Sequence, residues 1–156
     1  MRVVKMFLSG MTGLALMFTL FGLVMPSSVK LSRGIIVQAD SVAVQAALSD
    51  VATWQQWLPW LTADPQAVVL RSAVTNQPGS WLKWKGAVSK GAGTFTILGY
   101  APGEIQVLHQ LKDMNDARGG FRVRRLGTET EVQWFMEYPL RWYPWERFYG
   151  IFLDHI

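Results

Sequence analysis

No charged side chain occurs between Met6 and Ser28, and the twenty residues from Met6 to Met25 are dominated by Leu, Met, Phe, Val, Gly and Thr. A helix that is apolar all round has to be enclosed by protein or by lipid. At about 1.5 Å per residue such a helix reaches about 30 Å, the thickness of a bilayer's hydrocarbon core. Residues 1–25 are therefore read as one N-terminal transmembrane helix. A cleaved signal peptide competes with this reading, because Arg2 and Lys5 form a positive n-region. Against cleavage, the run exceeds the roughly 7–15 residues of a signal h-region, and Leu23-Val24-Met25-Pro26 lacks a small-x-small pattern. Two basic residues flank the span on each side, Arg2 and Lys5 before it and Lys30 and Arg33 after it. The tighter clustering of the first pair places the N-terminus inside and the rest of the chain on the extracytoplasmic side.

The 156 residues allow one domain of ordinary size beyond the span. With no cysteine, a disulfide framework, a thiolate zinc site and a covalently attached haem are excluded. The net charge of +4 comes entirely from the first 33 residues, since the remainder carries eleven basic and eleven acidic side chains. A nucleic-acid footprint belongs on the folded domain, so nucleic acid is not an expected partner.

Pro26-Ser27-Ser28 ends the helix, and residues 26–33 read as a linker to a domain spanning 34–156. Residues 34–38, Gly-Ile-Ile-Val-Gln, read as a strand, with Asp40 or Ser41 as N-cap of a helix from Val42 to Leu48. Three indoles follow within seven residues, at Trp54, Trp57 and Trp60. Pro59 prevents clean helical continuation there, so a short helix and turn are expected. From Val68 onward, short alternating runs separated by Gly, Pro and Asn indicate an antiparallel sheet.

Parity assigns the faces of that sheet. Leu82 and Trp84 oppose Lys83 and Lys85; Phe95 and Ile97 oppose Thr94 and Thr96; Ile105, Val107, His109 and Leu111 oppose Gln106, Leu108 and Gln110. A two-residue turn at Gly127-Thr128 pairs Leu126 with Glu129, Arg124 with Glu131, Arg122 with Gln133 and Arg118 with Glu137. The opposite face then collects Phe121, Val123, Val132, Trp134 and Met136, so turn type and parity agree. The Arg/Glu ladder reads as a solvated exterior. After Trp145, Phe148, Ile151 and Phe152 fall on one helical stripe.

Three local patterns carry a family resemblance: the Trp54…Trp57-Leu58-Pro59-Trp60 turn; Gly79-Ser80-Trp81-Leu82-Lys83-Trp84-Lys85-Gly86 followed by Gly91-Ala92-Gly93-Thr94-Phe95; and Phe148-Tyr149-Gly150-Ile151-Phe152-Leu153-Asp154. In these the sequence resembles the SRPBCC (START-like, polyketide cyclase/dehydrase and lipid transport) superfamily, and its membrane-anchored bacterial members in particular. The resemblance covers residues 34–156. It implies an α+β helix-grip fold, in which an antiparallel sheet wraps a C-terminal helix around an apolar cavity, and a single-pass protein of a bacterial inner membrane. In similar proteins the helix beginning near Tyr149 continues for several more turns. Here it is expected to stop after about two turns, which implies either a truncated or incomplete product or an exposed sheet covered by another chain or by the bilayer.

Catalytic constellations are scarce. His109 and His155 cannot form a paired-His zinc motif, no Gly-x-Ser-x-Gly elbow is present, and Gly91-Ala92-Gly93 lacks the third glycine of a dinucleotide loop. No metal or cofactor is expected. Glu104 and Asp113 bound one strand and read as rim residues. His109 is the polar side chain on the apolar face, and so the candidate acid, base or ligand hydrogen-bonding group. The expected activity is binding of a hydrophobic small molecule or lipid. The candidate lining is Trp84, Phe95, Ile97, Val107, His109, Phe121, Val123, Trp134 and Met136. Two alternatives stand beside it: a cyclase/dehydrase-like enzyme in which His109 acts on a carbonyl compound, and a docking protein whose open sheet receives a partner's helix.

Overall fold

Alternation of apolar and polar residues lays down seven strands, and the computed structural model orders them in one antiparallel sheet, β1-β7-β6-β5-β4-β3-β2. The structure describes residues 2–24, 27–87, 91–112 and 114–140. Its elements are α1 (Arg2–Val24), β1 (Ser28–Val37), α2 (Ser41–Ser49), α3 (Trp54–Trp57), α4 (Pro59–Thr62), β2 (Val68–Arg71), β3 (Trp81–Lys85), β4 (Ala92–Ala101), β5 (Glu104–Leu111), β6 (Ala117–Leu126) and β7 (Glu129–Pro139). The chain divides into two compact units, one containing α1 and the other spanning Lys30–Tyr138. The expected closing helix, with Trp142, Trp145, Phe148, Ile151, Phe152 and His155, lies outside the described residues.

Helix α1 is exposed along its apolar length. The hydroxyls of Thr12 and Thr19 donate to the carbonyls of Leu8 (2.9 Å) and Ala15 (2.8 Å), four residues back. The polar groups of both threonines are thereby satisfied within the helix, as an apolar medium requires. Length and composition suit a membrane span, and a signal sequence shares both features.

In the larger unit, α2, α3 and α4 carry the chain from one edge of the sheet, β1, to the other, β2. Asp40 caps α2 as the sequence indicated: its carboxylate accepts from the Val42 amide at 3.0 Å. Leu58 separates α3 from α4, with Pro59 at the first position of the second helix, where its missing N–H costs nothing. Leu48, Val51, Trp54, Leu58 and Leu61 from this crossover pack with Leu82, Trp84, Phe95, Ile97, Ile105, Val107, Phe121 and Val132 from the sheet. One face of the sheet is thus apolar and covered.

The β6/β7 hairpin has the register deduced from the turn, from Leu126 opposite Glu129 to Arg118 opposite Glu137. On the outer face, Arg124 pairs with Glu131 at 2.7 Å, while Arg122 pairs with Glu104 of β5 at 2.8 Å and lies 4.2 Å over the Phe135 ring. These pairs are solvated and contribute a few tenths of a kcal/mol each. Residues 28–33 depart from expectation: they form the first part of β1 rather than a linker. Leu31 turns inward between the exposed Lys30 and Ser32, an alternation that the flanking charges obscure. The Ser32 hydroxyl accepts from Gln133 of β7 at 2.7 Å, and the Thr130 hydroxyl donates to the Ala39 carbonyl at 2.7 Å.

Candidate functional site

Between the crossover helices and the apolar sheet face, within the larger unit, lies a cavity of about 600 Å³. One wall is α2, through Val44, Ala47 and Leu48, and a second is the tryptophan segment, through Trp54, Trp57, Leu58, Pro59 and Trp60. The sheet supplies Arg33, Ile35 and Val37 from β1, Phe95 from β4, Val107 and His109 from β5, Phe121 from β6, and Val132 and Trp134 from β7. The volume falls in the range of small-molecule sites, about 300–1,000 Å³.

Trp54 organises these walls. It is 1% exposed, its indole N–H donates to the Leu48 carbonyl at 3.0 Å, and its ring meets Trp57, Phe95 and Phe121 edge-on with centroids 6.1–6.2 Å apart. Trp57 reaches Phe121 at 5.7 Å, and Trp60 reaches Phe95 at 5.7 Å. Offset and edge-to-face rings favour one another through their quadrupoles, so five aromatic residues from four elements hold one arrangement.

His109 sits in the opposite wall, 5% exposed. Its in-register neighbours on β4 and β6 are Phe95 and Ala117. The Phe95 ring lies 4.8 Å away at 74°, and the Trp134 ring 6.4 Å away. Burial pushes the imidazole pKa down to about 4, because removing water disfavours the charged form, so the ring is neutral near pH 7. Its Nε2 is shielded from solvent and has no hydrogen-bond partner among the described residues.

Five of the nine residues expected to line the cavity do so: Phe95, Val107, His109, Phe121 and Trp134. The other four lie off it. Trp84 stacks behind Phe95 at 4.7 Å, and its ring occupies the space over Gly93, where a Cβ would collide with it. Ile97 faces inward but is fully covered. Val123 packs against the edge of the core, and Met136, half-buried, stands opposite Gly119. Alternation had identified the inner face without identifying how deeply each residue on it is covered. It also left out the α2 wall, although Val44, Ala47 and Leu48 carry helical spacing, and Arg33, assigned to the linker.

The remaining candidates are peripheral. Glu104, bonded to Arg122, has its carboxyl held below the usual range, and Asp113 lies outside the described residues. Gly91 adopts a φ of +102°, a backbone turn without phosphate-loop context. Among the described residues no three His, Cys, Asp or Glu side chains cluster as metal ligands do.

Neither a protein-family model nor a curated protein matches the sequence. Solved structures do. A START superfamily protein from Mycobacterium smegmatis superposes with a TM-score of 0.52 at 17% identity, covering 81% of this chain and 90% of its own. The fold is START-like. The Zhui aromatase/cyclase from Streptomyces sp. R1128 gives a TM-score of 0.56 at 15% identity over 73% of this chain and 69% of its own. Ginseng major latex-like protein 151 from Panax ginseng gives 0.56 at 10% identity over 83% and 96%. The α+β, helix-grip-like architecture read from the sequence is therefore present as a seven-stranded antiparallel sheet. At these identities the likeness concerns the fold alone.

Proposed function

We propose that the larger unit binds a hydrophobic small molecule or lipid in the cavity, that binding rather than chemistry is its activity, and that α1 tethers it to a bilayer. The observation that carries the reading is a cavity of about 600 Å³ walled by six aromatic side chains besides His109 and Arg33, together with Val, Ile, Leu, Ala and Pro. An apolar hollow of this size, open at one side where Ile35 and Trp60 are exposed, is unlike a packed protein interior, where voids larger than a water molecule are few. Support for the tether is the exposed apolar α1, which ends only four residues before β1 begins. If flanking charge sets the orientation, the larger unit lies on the extracytoplasmic side.

A cyclase-like activity, as the name of the Streptomyces relative suggests, would rest on His109. Burial pushes that imidazole's pKa down to about 4, which makes it a weak base at neutral pH, and no carboxylate among the described residues orients it as a general base is usually oriented. Binding is the better-supported role.

Filling the cavity tests it. Val107→Trp and Ala47→Trp project indoles into the space from opposite walls. In titrations of the full chain in nanodiscs with the neutral fluorophore N-phenyl-1-naphthylamine, each substitution is expected to weaken saturable binding at least tenfold. The double variant is expected to abolish it. Unchanged binding in the double variant would place the probe elsewhere and remove the cavity from the account.

A further inference from the structure

Resting on the binding reading above, we infer that the preferred occupant is a neutral, predominantly apolar molecule carrying one hydroxyl group, which hydrogen-bonds the His109 imidazole inside the cavity. The starting point is an unsatisfied polar atom. His109 lines the cavity and is 5% exposed, yet its Nε2 has no partner among the described residues. Buried polar groups almost always have one. On the inner face its strand neighbours are Phe95 and Ala117, and the next ring is Trp134. None of these side chains offers an oxygen.

The chemistry of the wall narrows what the partner can be. Apart from His109 and Arg33, the lining side chains are aliphatic, aromatic or proline, so an ionised group taken inside would lose its hydration without a counter-charge. The imidazole does not supply that charge, being neutral near pH 7. A neutral imidazole carries one N–H and one bare nitrogen, and a turn about χ2 exchanges which edge faces the cavity. A hydroxyl both donates and accepts, so it pairs with either tautomer, whereas a carbonyl pairs only with the N–H. Arg33 is exposed, and an anionic headgroup would find it at solvent rather than inside. The aromatic walls favour a flat body for the rest of the ligand.

The test uses the full chain in nanodiscs at pH 7, with empty nanodiscs as reference and three probes of one shape: naphthalene, 2-naphthol and 2-naphthoate. The expected order places 2-naphthol at least tenfold tighter than the other two. In His109→Phe the preference for 2-naphthol over naphthalene is expected to disappear. A second readout needs no change at the site: the 15N shift of the His109 imidazole, assigned with the help of His155→Gln, moves on adding 2-naphthol and stays put on adding naphthalene. Equal affinity for naphthol and naphthalene, survival of the preference in His109→Phe, or an unmoved 15N signal overturns the inference while leaving the cavity reading intact. Tightest binding of 2-naphthoate also overturns it, in favour of an anionic headgroup at Arg33. If none of the three probes binds, the cavity reading itself fails.

Discussion

Trp54→Ala is expected to destabilise the full chain by about 3–5 kcal/mol, the cost of emptying a buried aromatic site whose surroundings cannot fully collapse. Collapse is obstructed here because the neighbours of Trp54 come from four different elements. Trp57, Phe95 and Phe121 all lean on its ring, while its N–H holds the Leu48 carbonyl at the end of α2. Truncation therefore removes the packing partner of two strands and leaves an acceptor unsatisfied in the same step. Trp54→Phe separates these contributions: it keeps most of the apolar contact and loses the hydrogen bond, and a cost nearer 1–2 kcal/mol is expected. Urea unfolding followed by the remaining tryptophans measures both. A loss below about 1 kcal/mol for the alanine variant, far under the usual range, would mean that the tryptophan segment is not part of the core.

Gly120→Ala is expected to cost roughly 3 kcal/mol or more, as backbone strain and overpacking add. Gly120 has a φ of +154°, and a Cβ built on it overlaps the Ile105 carbonyl oxygen of β5. Its neighbour Gly119 is confined on the other side, where a Cβ would overlap the Phe135 carbonyl oxygen of β7. The middle of β6 is thus pinched between two backbones, neither of which can move without breaking a ladder. Gly34→Ala is the control, since nothing lies within 4 Å of its added methyl, and an effect within about 0.5 kcal/mol is expected. Loss of dispersion in a 1H–15N spectrum for the first variant but not the second would bear this out. Two equally well-folded variants would show that β6 is not packed as described.

The hairpin register could be read in the sequence because two independent signals converged there. The Gly127-Thr128 turn fixed the pairing, and one-sided polarity of Arg118, Arg122 and Arg124 against Glu131 and Glu137 fixed the faces. His109 was visible for the same reason, as a polar residue at an inward position of a clear alternation. What alternation does not carry is depth: Phe95 and Ile97 have the same parity on the same strand, yet one lines the cavity and the other is sealed beneath it. Nor does it survive irregularity, and the register shift between Ile97 and Gly99 leaves Tyr100 exposed, its hydroxyl donating to the Ser49 carbonyl. The pinch at Gly119 and Gly120, the α2 wall and the unpartnered Nε2 of His109 arise only once separate strands and helices are placed side by side. The start of β1 escaped notice because Lys30 and Arg33 look like the flank of a membrane span.

Native mass spectrometry of the full chain, released gently from nanodiscs, addresses the central claim most directly. The account predicts a stoichiometric, non-covalent adduct of a hydrophobic molecule on the wild-type chain, absent from the Val107→Trp, Ala47→Trp double variant. A wild-type chain that is folded and carries nothing, or an adduct retained equally when both indoles occupy the cavity, would contradict it.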